Sequence, residues 1–343
     1  MKTPASLGFA MPAEWEPHER TFIAWPCRLE LWGNAGRMSR ARAAHARLAK
    51  AISEVEPVIM IARPDDAADA ERQCGKDVEV RAIAIDDSWI RDSGPVFVKR
   101  GNEIAGIDWK FNAWGGKYRG YEDDDKLPER LLRELGIERF AAPIVLEGGS
   151  IAVDGAGSLM TTEECLLNAN RNPGLARADI ERALTDYCGV RRIMWLPYGL
   201  EDDETDGHID NVAAFAAPGM VLLNWTDDES DPNFIRMRAN EKALKAAQDR
   251  TGQRVEIIKI KEPPRAVGWN GRRLPLSYLN FYVANEAVLA PSFDHPLDRE
   301  TAAILRDCFP SRKVVQLPML DVVVGGGGIH CITQQQPLSG EAR

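Results

Sequence analysis

An α/β fold is predicted, and two observations predict it. Short β-branched runs alternate with amphipathic helical stretches along the whole chain, and the elements recur in a fixed order. Each helical stretch follows about two strands and precedes another. A strand–strand–helix–strand unit of about 60–70 residues would fill the length about five times, as in a propeller-like closed array. Residue identity does not repeat with the elements, so element order alone leaves two ordinary doubly wound domains open. The expected strands are 21–25, 58–62, 78–85, 103–109, 151–153, 158–161, 192–195, 212–215, 221–223, 255–259, 281–284, 287–290 and 314–317. Helices are expected over 34–53, 124–135, 178–187, 233–249 and 299–308. The first is Ala-rich, with Leu48 and Ile52 four apart on one face. The last follows Pro296, with Asp298 as the expected N-cap. The segment 338–343 is expected to fray.

Composition narrows the function classes. The 343 residues carry 43 Lys+Arg against 52 Asp+Glu, a net charge of −9, with 44% hydrophobic and 28% charged residues. That is a globular composition, not a disordered one. An acidic chain without a Lys/Arg stripe is not expected to bind nucleic acid, and it suits a small cationic ligand. No apolar run approaches ~18 residues, so no membrane span is expected. The opening Met1-Lys2-Thr3-Pro4-Ala5 has no apolar signal core, so the expected compartment is the cytoplasm. The six cysteines are scattered without a C-x-x-C pair. They read as reduced thiols, with no zinc site.

Four motifs carry chemistry-bearing residues. Four consecutive glycines, Gly325 to Gly328, precede Ile329-His330-Cys331. Such a run costs backbone entropy and lets the chain turn sharply or approach a ligand just before a cysteine. In Gly207-His208-Ile209-Asp210-Asn211 an extended backbone would set His208 and Asp210 on one face. Asp86-Asp87-Ser88-Trp89-Ile90-Arg91-Asp92-Ser93-Gly94-Pro95 and Val145-Leu146-Glu147-Gly148-Gly149-Ser150 each place an acid beside glycine at the mouth of a strand. Trp89 near Asp92 pairs an aromatic wall with a carboxylate, a combination suited to a planar cation. A nucleophilic Cys331 needs a proton carrier. His208 is the better candidate, because an extended backbone would point His330 away from Cys331.

Together these stretches resemble the agmatine deiminases, a group within the wider bacterial peptidylarginine deiminases. The segments Met11-Pro12-Ala13-Glu14-Trp15-Glu16-Pro17-His18, Thr21-Phe22-Ile23-Ala24-Trp25-Pro26 and Ser277-Tyr278-Leu279-Asn280-Phe281-Tyr282 add to the resemblance. It covers nearly the whole chain and so implies one catalytic domain over residues 1–343. It implies the pentein fold, an α/β propeller of five ββαβ units around a pseudo-fivefold axis. It also implies metal-free and cofactor-free hydrolysis of a guanidine to a urea with release of ammonia. By resemblance Cys331 is the nucleophile and His208 the general acid and base. Asp92 and Asp210 grip the guanidinium, and Glu147 orients His208. The implied route runs from agmatine to N-carbamoylputrescine and onward to putrescine.

The distal end of the substrate is the open question. The acidic stretch 201–206 offers Glu204 or Asp206 to an ammonium, and Trp114 is expected near the site. A free-arginine enzyme would need a cation for the α-carboxylate, and Arg91 is the one obvious neighbour. Agmatine is favoured. Peptidyl- or free-arginine deimination, amidino transfer and a non-catalytic guanidine- or polyamine-binding protein are the alternatives. A thiol protease is not supported, because acids crowding the pocket suit a cation and not an acyl oxyanion. A homodimer is the expected assembly for an enzyme of this size.

Overall fold

One recipe, repeated five times, accounts for the sheets of the computed structural model, which describes residues 2–340. The strands are β1 (His18–Ala24), β2 (Val58–Ala62), β3 (Glu79–Ala82), β4 (Val96–Arg100), β5 (Glu103–Lys110), β6 (Glu138–Val145), β7 (Ile151–Val153) and β8 (Ser158–Thr162). They continue as β9 (Arg192–Leu196), β10 (Ala213–Ala217), β11 (Met220–Trp225), β12 (Glu256–Lys261), β13 (Tyr282–Val283), β14 (Ala287–Ser292), β15 (Lys313–Pro318) and β16 (Thr333–Pro337). An antiparallel pair is followed by a third strand lying parallel to its second member. This gives the sheets β4–β5–β6, β7–β8–β9, β10–β11–β12 and β13–β14–β15. The remaining sheet is β16–β1–β2–β3, so the strand near residue 333 supplies the antiparallel partner of β1.

A parallel pair needs a crossover, normally a helix. The helices Ala35–Ser53, Leu127–Leu135, Arg177–Cys188, Asn233–Ala246 and Leu297–Cys308 each bridge such a pair. The expected ββαβ units therefore form, an arrangement consistent with an α/β propeller. Asn34 caps the first of these helices, its side chain accepting from Arg37 N–H at 2.9 Å. Leu48 and Ile52 are fully buried. Among the described residues no helix is long and apolar enough to cross a membrane.

The differences from expectation have local causes. The helix expected over 124–135 is divided at Lys126, because Pro128 belongs to the first turn of Leu127–Leu135. Asp298 is not an N-cap. It lies inside the first turn, accepting from the backbone N–H of Phe293 and His295 and from Tyr278 Oη. The helix Ala67–Cys74 and the strands β4, β6 and β16 were not expected. Strand β6 buries Phe140, Ala142 and Ile144 but exposes Ala141 and Pro143, and β16 buries Gln334, Gln335 and Gln336, so neither alternates apolar with polar residues in sequence. Leu338, assigned to a frayed tail, donates its N–H to Pro17 O at 2.8 Å, while 341–343 lie outside the described residues.

Candidate active site

The repeat explains where the chemistry-bearing residues sit. Each unit presents a short turn just before its first strand, and these turns meet one another. The turn Ile90–Ser93 before β4 carries Asp92, and Gly148–Ser150 before β7 follows Glu147. Ile209–Asn211 before β10 carries Asp210 and follows His208. Asn280 lies before β13, and His330–Ile332 before β16 carries Cys331. The expected extended backbone at His208–Asp210 and at His330–Cys331 is corrected to 3-10 turns in both places. In such a tight turn adjacent side chains no longer alternate, so His330 and Cys331 both reach Asp210 Oδ2, at 2.9 Å and 3.5 Å.

The structure brings Cys331, His208, Asp92, Asp210 and Glu147 together. His208 lies between two carboxylates, Nδ1 3.6 Å from Asp92 Oδ1 and Nε2 3.6 Å from Glu147 Oε2. Glu147 is held from behind by Arg171 Nε at 2.7 Å, an ion pair with both side chains fully buried. Arg171 had no sequence signal; it lies in an Asn-rich loop. Asn280 donates from Nδ2 to Cys331 Sγ at 3.2 Å and to Asn211 Oδ1 at 3.1 Å. The glycine run permits the approach: Gly326 has φ +113°, and a Cβ on Gly327 would stand 2.9 Å from the Cys331 sulfur.

Electrostatics divide the acids. Burial, with Asp210 and Glu147 nearby, pushes Asp92 up to about 6 against the pull of His208. Burial opposes charge on Asp210 too, but His330, His208 and Arg91 hold it below the usual carboxylate range. Glu147 is likewise held low, by Arg171 and His208, despite burial. Burial disfavours the His208 cation, yet Asp92, Cys165 and Glu147 carry it well above the ordinary imidazole range. Burial first, then Asp210 and Asp92, drives the Cys331 thiol far up. The site without a ligand is thus an imidazolium and a thiol among acids, short of positive charge. Among the described residues, both ring nitrogens of His208, Glu147 Oε2 and Asp210 Oδ1 are buried without a hydrogen-bond partner. Glu147, Cys165 and His208 place ligand-type atoms within 4.8 Å of one another. Arg171 already pairs with the other oxygen of Glu147, Oε1.

A cleft of about 310 Å³ reaches this centre, lined by Leu31, Trp89, Asp92, Trp114, Tyr118, Glu204, Thr205, Gly325, Gly326 and Cys331. Trp89 is both wall and core: its ring stacks on Trp32 at 6.0 Å, and Nε1 donates to Asp87 at 3.0 Å. Trp114 also lines the cleft and donates from Nε1 to Asp92 Oδ2 at 2.9 Å. Glu204 lies at the mouth, paired with Tyr118 Oη and, at 3.2 Å, with Arg272. Asp206 is not in the cleft. Its oxygens are taken by Lys117, by Asn170 at 2.9 Å and by Arg171, so it braces the arginine behind Glu147. Arg91 is also turned away, toward Glu14 Oε2 at 3.5 Å and the carbonyl of His330 at 3.3 Å.

Comparison with known proteins agrees with this geometry. The family described as Porphyromonas-type peptidyl-arginine deiminase matches residues 10–337. An agmatine deiminase of Pseudomonas aeruginosa is 45% identical over 98% of this chain and 97% of its own length. The structure of an agmatine deiminase of Enterococcus faecalis superposes with a TM-score of 0.95 at 34% identity, covering 99% of both chains. The dimethylarginine dimethylaminohydrolase of P. aeruginosa shares the fold alone, at 15% identity and a TM-score of 0.51 over 93% of this chain and 99% of its own. With the site turns all inside the matched span, the chain belongs to the Porphyromonas-type peptidyl-arginine deiminase family.

Proposed function

We propose that this protein is an agmatine deiminase, hydrolysing agmatine to N-carbamoylputrescine and ammonia through an amidino adduct on Cys331. The observation that carries this reading is the convergence of a thiol, an imidazole and two carboxylates behind a cleft whose mouth holds Glu204. A guanidinium is planar and delocalised, so its central carbon resists attack until the cation is held still. Asp92 and Asp210 accept its N–H groups and fix its plane. With the cation bound, the Cys331 thiol loses its proton to solvent; the thiolate adds to the carbon, and His208 gives its proton to one nitrogen, which leaves as ammonia. The substrate carbon is then bound to sulfur as a cationic amidino thioether. His208, now neutral, takes a proton from water, and the oxygen adds to the same carbon. The C–S bond breaks, the thiolate is restored, and the oxygen now on the urea carbon sheds its proton to solvent. Glu147, fixed by Arg171, keeps the His208 ring oriented for both transfers.

The tail assignment supports agmatine over arginine. Among the residues lining the cleft none is cationic, and Arg91, the one sequence candidate for a carboxylate clamp, faces Glu14 instead. Glu204 at the mouth suits an ammonium, which would displace Arg272. Ammonia release should be measured from agmatine, free arginine and a short arginine peptide, and agmatine should lead. In Glu204→Gln, kcat/KM for agmatine should fall by about tenfold, while a guanidine lacking the amine should be unaffected. Equal losses for both would remove Glu204 from tail binding, and a lead for the peptide would overturn the substrate.

Close approach is a further requirement of this chemistry. A Cβ on Gly149 would stand 2.7 Å from both Asp92 Oδ1 and His208 Nδ1 and 3.0 Å from Asp210 Oδ2. Gly149→Ala should therefore push these groups apart and lower kcat/KM by about 10²-fold, with a thermal melt near that of the wild type. An unchanged kcat/KM would show that the three groups need not be so close.

A further inference from the structure

His330 is a group that the reaction sequence leaves unused, and its surroundings are unusual. Its Nδ1 lies 2.9 Å from Asp210 Oδ2 and its Nε2 lies 2.9 Å from Glu14 Oε2. Carboxylate oxygens accept and do not donate when ionised, so a ring that satisfies both must carry a proton on each nitrogen. Glu14 and the backbone that carries the ring are braced in turn. Glu14 Oε1 accepts from Val283 N–H at 2.7 Å, and the N–H groups of His330 and Cys331 point to Asn280 Oδ1 at 2.9 Å and 3.4 Å. The charged groups facing the ring are Glu14, Asp210 and Arg91, from three separate segments. A second cavity, touching Glu14, Arg91, Asp210 and His330, shares no lining residue with the cleft that reaches Cys331. His330 and Asp210 thus stand behind the reacting centre, between the two cavities.

We propose that His330 is a positioning residue whose imidazolium, clamped between Glu14 and Asp210, occupies one oxygen of Asp210 and leaves the other for the substrate guanidinium. Asp210 Oδ1, buried and without a hydrogen-bond partner among the described residues, is the atom so reserved. The proposal rests on the deiminase reading for the identity of that guanidinium. Its physical content is separate: a largely buried cation on the residue next to the nucleophile, in hydrogen-bond contact at 2.9 Å, keeps Asp210 ionised, whereas Asp92, whose imidazolium neighbour His208 stands 3.6 Å away, is held near 6. Consistent with this, Glu14 is brought down to about 2 by His330 and Arg91 although burial opposes it.

The test has two independent arms. In enzyme labelled with ¹⁵N at histidine, the ring assigned by its loss in His330→Gln should show both nitrogens still protonated above the ordinary imidazole range. His330→Gln can satisfy only one carboxylate and brings no charge. Its KM for agmatine should rise by about tenfold, with kcat falling less. The low-pH limb of kcat/KM should move to higher pH, because Asp210 loses the cation that holds it ionised. Glu14→Gln should shift both quantities in the same direction by a smaller factor, and decides the matter if His330→Gln does not fold. A neutral ring at pH 7, or wild-type KM and pH profile in the folded variant, overturns the proposal. Failure of the wild type to release ammonia from agmatine would overturn the functional reading instead, while the NMR arm still decides the state of the ring.

Discussion

Cys331→Ser is expected to abolish ammonia release, by about 10⁴-fold or more, while still binding agmatine measurably by calorimetry. The reason is the field at the sulfur. Burial, Asp210 and Asp92 already hold the thiol far above its ordinary range, and a serine hydroxyl starts several decades less acidic. The thiol becomes a nucleophile only because the substrate brings a positive charge between the acids. The same reasoning fixes a sign. The thiolate is the species that alkylates, so a bound guanidinium that is not turned over should move the pH profile of Cys331 alkylation to lower pH. An identical profile with and without the ligand would show that the substrate does not help to ionise the sulfur. Turnover persisting in the serine variant would remove Cys331 from the chemistry altogether.

His208→Asn should cost about 10³-fold or more in kcat, because one imidazole serves both the departing ammonia and the incoming water. A haloacetamidine separates this role from mere architecture. Its halide leaves without needing a proton, so labelling of Cys331 should persist in the variant while agmatine turnover is lost. The asparagine leaves Glu147 its contact with Arg171, so the buried ion pair is retained and a thermal melt should report a folded protein. Loss of labelling along with turnover in a folded variant would mean that His208 governs the sulfur itself and not the proton transfers.

The centre of the site was legible in the sequence because its residues stand in short motifs at strand mouths, where glycine marks close backbone approach. Gly148-Gly149 and Gly325 to Gly328 signalled it, and Asp92, Glu147, His208, Asp210 and Cys331 do converge. The supporting shell was not legible. Arg171 reaches Glu147 from a loop that follows β8, and Glu14 reaches His330 across 316 positions of sequence. Contacts of that kind leave no local pattern. Asp206 was misplaced because consecutive acids look alike in sequence, whereas Lys117 and Arg171, each from another segment, decide which acid turns outward. The units were legible through their helices and apolar strands. Strand β16 was missed because its inward residues are glutamines.

That overlooked strand has a consequence for how the molecule comes together. Ile23 pairs with Thr333, so the seam joins positions more than three hundred residues apart, and Cys331 lies two residues from it. Contacts of such separation form late, after the local hairpins and helices are in place. During synthesis the earlier units can collapse while the reactive sulfur is still far from its acids. Closing the seam then completes the core and sets the sulfur among the acids that hold it as a thiol until a guanidinium binds, whereas a chain that has not closed carries an ordinary thiol.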